Sequence, residues 1–252
     1  MRHSRFLFTS AAVTAIAATA GLGAGSAFAS TTPASSSSGS ATPAAATTTP
    51  DVKLPKNPTL PQLQAAAATD ISNRVAVLDA AVAKLQAATD LGGDQATLIH
   101  NFQSDISGLQ QLGTNIAADI TVPAAKAGYT QIFTNFRIYA LALPAARLVA
   151  TDDRIVNTAG PALTKRAALV AARETPANQA EVQPLLADLA TQVTAANTAL
   201  DGQTAALIGY TPADWNANHT LLVAPRGATK TATADLVKAR HDLKQAVADV
   251  RR

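Results

Sequence analysis

The chain has 252 residues, of which 48% are hydrophobic and 15% charged, and its 20 basic and 17 acidic side chains nearly balance. So small an excess of positive charge is not typical of proteins that bind nucleic acids, and we expect no nucleic-acid partner. The absence of cysteine excludes disulfides, thiol catalysis and cysteine-ligated metals, so stability must come from buried apolar surface.

Residues 1–29 have the three parts of a secretory signal peptide. Arg2 and Arg5 precede an apolar run over residues 6–20, and Ala-Phe-Ala at 27–29 supplies the small residues of a cleavage site. Threonines and glycines interrupt the apolar part, which favours a cleaved signal over a retained anchor. We therefore expect export, with no membrane span after cleavage.

A linker and then a helical domain follow. Residues 30–58 are mostly Ser, Thr, Pro and Ala, a composition that predicts a disordered linker, with or without glycosylation. Residues 59–252 are predicted to form the folded domain. Its start at Thr59 has the pattern of a capping box with Gln62.

Two amphipathic helices open this domain. Apolar residues recur every three or four positions from Ala68 to Leu85 and again from Leu98 to Ile120. Gly92-Gly93 separates the two runs, and Asp94 is predicted to cap the second helix. A short glycine-containing connection predicts an antiparallel hairpin.

Four aromatic side chains then fall within eleven residues: Tyr129, Phe133, Phe136 and Tyr139. A strand would account for the second half of this segment, whereas a helix places all four within an arc of about 120°. We therefore predict one helix that Pro144 either kinks or ends. An aromatic stripe at helical spacing is more often core than ligand site, so we expect these four residues in the core.

The segment IFTNFRIYALALPAARLVATDDRI, residues 132–155, resembles a stretch of exported, Ala/Thr-rich helical proteins of high-GC Gram-positive bacteria. The matching features are Phe-Arg-Ile-Tyr at 136–139, Leu141, Leu143, Pro144 and the acidic pair Asp152-Asp153. This group has no assigned activity. The resemblance implies export and a helical fold, and it implies no catalytic residues.

The C-terminal third repeats the helical pattern more strictly. Between Val182 and Leu207, and between Ala232 and Val250, apolar residues alternate spacings of four and three, interrupted by Gln203. Such heptads are typical of coiled-coil-like helices. With no hairpin signal for strands, we predict an all-α fold, an elongated antiparallel helical bundle with coiled-coil-like heptad helices.

The connection between these two runs holds the most site-like residues, Tyr210, Trp215 and His219. A tryptophan on a connection can stack on a sugar or contact a partner protein, although it can equally close the end of a bundle. We take these three residues as a candidate binding surface. Arg137, in the aromatic segment, needs a polar partner, and Asp152 or Asp153 are the candidates.

No pattern for catalysis or metal binding is found. His100, His219 and His241 lack a His, Asp or Glu three or four residues away that would complete a metal pair on a helix. The side chains of the adjacent Asp152 and Asp153 would diverge by about 100° on a helix. We therefore expect no enzyme activity, no metal and no cofactor.

These observations predict an exported, non-enzymatic helical-bundle protein with a structural or binding role at the cell envelope or outside the cell. The predicted location is outside the cell, either free in the medium or attached non-covalently to the cell wall. The expected partner is an envelope polymer or another envelope protein. Leu221–Arg252 has seven basic and three acidic residues, and such a basic end either contacts polyanions or is simply solvated.

Two alternatives stay open. One is a hydrolase or metal-dependent enzyme whose site is assembled from distant residues such as His100, His219 and the Asp152 pair. The other is a small-ligand carrier with a cavity beside Phe133 and Phe136.

Overall fold

A computed structural model describes residues 51–251, and in this range the regular secondary structure is helical. The predicted signal peptide and residues 30–50 of the predicted linker lie outside the described residues. The helices are α1 Leu60–Ala87, α2 Asp94–Ala118, α3 Val122–Thr134, α4 Leu143–Arg154, α5 Gly160–Ala171, α6 Gln179–Leu200, α7 Gln203–Gly209, α8 Pro212–Ala217 and α9 Val223–Val250, with two π-helical segments, π1 Ile138–Ala142 and π2 Ile155–Ala159. The prediction of an all-α helical bundle is confirmed. Of the helices described, none is both long and apolar enough to cross a bilayer.

The first helical hairpin begins and turns close to the predicted positions. The Gln62 side chain accepts a hydrogen bond of 2.9 Å from the Thr59 backbone N–H, as a capping box requires. Gly92 has a φ of 53°, a left-handed conformation that glycine adopts without steric cost. The cap of α2 is Gly93, and Asp94 is the first helical residue, so the predicted cap is one position late.

The aromatic segment is broken, and the prediction of one continuous helix through it is wrong. α3 ends at Thr134, and Arg137 has a φ of 47°, which a non-glycine residue adopts at a cost of about 1–2 kcal/mol. Arg137 Nε donates a 2.7 Å hydrogen bond to Asn216 Oδ1, and Asn216 Nδ2 donates one of 3.0 Å to the Thr134 carbonyl. Asn216, rather than Asp152 or Asp153, is therefore the partner of Arg137.

From Ile138 to Ala171 the chain is helical without interruption, through π1, α4, π2 and α5. Each π segment ends two residues before a proline, Pro144 in one case and Pro161 in the other. Proline donates no hydrogen bond and its ring crowds the preceding turn. The wider π turns relieve this conflict, so Pro144 does not end its helix.

Buried apolar side chains form two core clusters. The first joins α1, α2, α3, π1, α4 and α7, and the second joins π2, α5, α6 and α9. Within the second, α9 buries Ala232, Leu236, Ala239, Leu243 and Ala246 at the predicted alternation of four and three. The predicted stripe from Val182 to Leu207 is divided at Gly202, whose φ is 68°, so that Leu207 belongs to the first cluster.

The last eight residues of the predicted linker, 51–58, lie against the helices. The Val52 N–H donates a 3.1 Å hydrogen bond to Asp70 Oδ1, and the Asp51 carboxylate lies 2.6 Å from Arg74 Nη2. The Tyr129 hydroxyl donates a 2.7 Å hydrogen bond to the other Asp70 oxygen. The packed part of the chain thus includes residues before the predicted domain boundary at Thr59.

Candidate functional site

An apolar groove with a basic rim lies between α5 and α9 and has a cavity volume of about 730 Å³. Leu163, Val170, Leu243 and Val247 supply much of its apolar surface, and Leu169, 57% exposed, lies at its edge. Its basic lining residues are Arg154, Arg166, Arg173, Arg240, Lys244 and Arg251. We refer to this feature as the α5–α9 groove.

The spacing of the basic residues explains why they share one groove. Arg166 lies in α5 and Lys244 in α9, and each is followed seven residues later by a second cation, Arg173 or Arg251, one or two residues beyond the end of the helix. Residues separated by about two helical turns lie on the same side of a helix. Leu163 and Val170 repeat the same interval on α5 and are buried in the second core cluster. Each wall therefore has apolar side chains inside and cations at the rim.

The groove is strongly electropositive. Arg154 Nε lies 2.7 Å from Asp90 Oδ2. The other five cations of the groove form no ion pair within the described part of the chain. No carboxylate belongs to the described residues that line it. Cations gathered along an apolar depression raise the local concentration of anions, and arginine can bind phosphate or carboxylate through two parallel hydrogen bonds.

The three residues of the predicted binding surface are not all in one place. Tyr210 lines a second cavity, of about 300 Å³, which also has Phe136 in its wall. Trp215 is half-buried against the first core cluster. The exposed His219 meets it edge to face, with 5.8 Å between the ring centroids. Trp215 and His219 are not among the residues that line the cavity.

The four aromatic residues predicted for the core pack against the first cluster, but each is only half-buried. The fully buried positions in this stretch are Ile132, Ile138 and Leu141. The rings are therefore at the boundary of the core, where they can contact polar groups. The four rings concerned are those of Tyr129, Phe133, Phe136 and Tyr139.

Two of these rings hold the buried Arg74, which is 4% exposed. Its guanidinium carbon lies 4.6 Å from the Phe133 ring centroid and 5.2 Å from that of Tyr139. Stacking on ring faces and the ion pair with Asp51 stabilise the charge of this arginine away from water. All of these partners belong to the same chain. The rings of Phe133 and Tyr139 therefore have a structural role around Arg74 and do not form an open binding site there.

The acidic pair is buried, and its two carboxylates face different neighbours. Asp152, 0% exposed, accepts hydrogen bonds from Gln203 Nε2 at 2.6 Å and Thr229 Oγ1 at 2.8 Å. Burial raises its pKa, and these hydrogen bonds oppose the rise. Asp153 has an Oδ2 atom without a hydrogen-bond partner in the described structure. Burial, together with the negative charge of Asp94, raises the pKa of Asp153 to about 6.

The histidines do not converge with these carboxylates. His100, His219 and His241 are exposed, and His241 Nδ1 lies 3.4 Å from the adjacent Asp242. Within residues 51–251, no group of three His, Cys, Asp or Glu side chains is arranged to hold a metal ion.

Comparison with protein families, with curated proteins and with solved structures gives no match to this chain. Its function must therefore be inferred from its own residues and their arrangement.

The sequence predictions missed the α5–α9 groove. A signal existed, since each helix has a cation, Arg166 or Lys244, that is followed seven residues later by another just beyond the end of the helix, Arg173 or Arg251. However, 69 residues separate Arg166 from Asp235 at the middle of α9, and no spacing rule pairs two such distant helices. Three of the seven basic residues of the C-terminal segment, Arg240, Lys244 and Arg251, line this groove together with residues of α5.

Proposed function

We propose that this is an exported binding protein without catalytic activity, whose α5–α9 groove holds an anionic amphiphile of the cell envelope. Such a ligand has an acyl or isoprenoid chain and a phosphate or carboxylate head. The observation that carries the proposal is the combination of an apolar surface with five cations that have no ion-pair partner among the described residues.

Each half of such a ligand has a counterpart in the groove. Transfer of a methylene group from water to an apolar surface contributes about 0.8 kcal/mol, so a chain lying on Leu163, Val170 and Leu243 would supply most of the affinity. Ion pairs at an exposed rim contribute less, on the order of 1 kcal/mol or below each. They nevertheless distinguish an anionic head from a neutral or cationic one.

The same lining argues against a hydrolase in the groove. General acid–base catalysis needs a group that exchanges protons near neutral pH, most often an imidazole or a carboxylate. Neither type belongs to the described lining residues. Outside the groove, Asp152 has no exposed surface to offer a substrate.

The predicted export agrees with this choice of ligand. A protein sent through the membrane by a signal peptide at residues 1–29 would function where envelope lipids and their polyanionic conjugates are found. Isolation of residues 30–252 from the culture medium, with an N-terminus at Ser30, would test this part separately.

The binding test uses hexadecyl phosphate, with hexadecyltrimethylammonium and the short butyl phosphate as comparison ligands, in isothermal titration at low salt. We expect the purified chain to bind hexadecyl phosphate at least about tenfold more tightly than either comparison ligand. Equal affinity for the cationic and anionic amphiphiles would refute an electropositive groove as the recognition element.

Two pairs of matched variants locate the site. Arg166→Gln/Lys244→Gln removes two charges from the rim, and Lys165→Gln/Lys230→Gln removes two from exposed positions outside the groove lining. We expect about a tenfold loss of affinity from the first pair and less than about twofold from the second.

For the apolar part, Leu169→Ser is compared with Val237→Ser, because these residues are 57% and 58% exposed but only Leu169 lines the groove. Leu169→Ser should weaken binding of hexadecyl phosphate, while Val237→Ser should leave it unchanged. If the two substitutions weaken binding equally, the ligand does not lie in this groove.

A further inference from the structure

A second cavity lies at the first core cluster, away from the residues that line the groove. It is bordered by α2, by the π1–α4 part of the long helix and by the segment from Leu207 to Pro212, and its volume is about 300 Å³. Pockets for small organic ligands start at about this size. We refer to it as the Asp105 cavity, after the one acidic side chain among its described lining residues.

Asp105 occupies an unusual position on α2. It follows Leu98 by seven residues and Phe102 by three, so it shares the face that is directed at the core. Both of those neighbours are buried, and Asp105 itself is half-buried. A carboxylate at such a position is costly unless another group compensates its charge.

Within the described part of the chain, no protein group compensates that charge. Asp105 has no hydrogen-bond or ion-pair partner there, and burial alone raises its pKa to about 6. No lysine, arginine or histidine belongs to the described residues that line the cavity. At neutral pH the cavity therefore carries a negative charge without a counter-ion from those lining residues.

Three aromatic rings share the lining with this carboxylate, those of Phe102, Phe136 and Tyr210. The Phe136 ring is set close to α2 by Gly108, since a Cβ atom at that glycine would be 2.8 Å from Phe136 Cε1. Ring faces attract cations through their electrostatic quadrupole, and a carboxylate together with aromatic rings is the usual environment for an organic ammonium ion.

We propose that the Asp105 cavity binds a small apolar molecule that carries a protonated amine. The ammonium group pairs with the Asp105 carboxylate, and the apolar body lies among Phe102, Phe136 and Leu207. The chemistry of this ligand is opposite in charge to that of the groove ligand, and the two sites share no lining residue. The proposal therefore stands or falls independently of the proposed function.

The experiment uses the purified chain and three probes of nearly equal shape: phenylethylamine, phenylethanol and phenylpropionate. Affinities are measured by ligand-observed NMR and isothermal titration at pH values near neutrality. We expect phenylethylamine to bind at least about tenfold more tightly than the neutral and anionic probes, because its charge alone complements Asp105. Equal affinity for all three, or no binding of phenylethylamine, would overturn the proposal.

Two variants test the location. Asp105→Asn keeps the shape of the side chain and removes its charge, while Asp79→Asn makes the same change at an exposed position on α1. Asp105→Asn should lower the affinity for phenylethylamine about tenfold and leave that for phenylethanol unchanged, and Asp79→Asn should alter neither. If both variants behave alike, the amine does not bind at Asp105. The groove variant Arg166→Gln/Lys244→Gln should retain full affinity for phenylethylamine.

Discussion

The contact between α2 and α3 makes a sharp prediction about a single methyl group. Gly128 lies in α3, and a Cβ atom at this position would be 2.6 Å from Ile116 Cγ1 and 3.3 Å from Ile116 Cδ1. Carbon atoms in favourable contact are about 3.5–4.0 Å apart. Gly128→Ala therefore requires a movement of about 1 Å between the two helices or within Ile116. Ile116 is 1% exposed, and a buried side chain has little space for such a movement.

Two opposing terms set the magnitude. Insertion of a methyl group into a packed core costs about 1–3 kcal/mol, whereas alanine in a helix interior is better than glycine by about 0.5–1 kcal/mol. The net expectation is that Gly128→Ala destabilises the fold by about 1–2 kcal/mol. For a chain of this length, such a loss lowers the melting temperature by about 2–8 °C.

The assay is thermal and urea unfolding followed by circular dichroism, with Gly227→Ala as the matched control. Gly227 is exposed in α9, and apart from its chain neighbours and the adjacent backbone of its own helix no atom lies within 4 Å of a Cβ atom built there. Gly227→Ala should therefore stabilise the fold by about 0.5–1 kcal/mol through helix propensity alone. If both substitutions raise the melting temperature equally, α2 and α3 are not in the close contact described, and the reasoning is refuted.

Two further predictions concern buried polar groups. The Tyr139 hydroxyl is buried without a hydrogen-bond partner in the described structure, so Tyr139→Phe should leave stability unchanged or raise it. Tyr129→Phe removes the hydrogen bond to the buried Asp70. This second substitution should lower the free energy of unfolding by about 1–3 kcal/mol. Asp153→Asn should stabilise the fold by about 1–3 kcal/mol above pH 7 and have little effect below about pH 4. The reason is that burial raises the pKa of Asp153 to about 6 in the native state. As the pH rises, the native state therefore keeps this proton longer than the unfolded chain does.

The same unfolding measurements check both. The two tyrosine variants are compared at one pH, and an equal loss of stability would show that the Tyr139 hydroxyl has a partner. For Asp153, the stability that its proton confers is present below the unfolded pKa and is lost as the pH rises through about 6. A stabilisation by Asp153→Asn that is independent of pH would contradict this origin.

Local chemistry in the sequence was sufficient for several helix boundaries. Thr59 and Gln62 form the expected capping box, and Gly92-Gly93 lies, as predicted, in the connection between the first two helices, although α1 already ends at Ala87. These signals are readable because each depends on groups within four residues of one another. The alternation of buried residues in α9 was readable for the same reason.

The break in the aromatic segment was not readable. Helical periodicity continues through Arg137, yet that residue is left-handed and hydrogen-bonded to Asn216, 79 residues later in the chain. The hydrogen bond to Asn216 thus offsets the preference of Arg137 for a right-handed helical conformation. The half-buried state of Phe133 and Tyr139 has a similar origin, because Arg74 is an attractive partner for these two rings only once α1 lies beside them.

The candidate sites divide in the same way. Which side chains are cationic, acidic or aromatic, and which face of its own helix each occupies, follows from composition and a period of 3.6 residues. Tertiary packing alone decided that the cations of α5 face those of α9, and that Asp105 meets Phe136 and Tyr210 across a cavity. The physical reason is that helical periodicity orders neighbours along one helix, whereas the pairing of distant helices depends on how all their apolar faces are buried together.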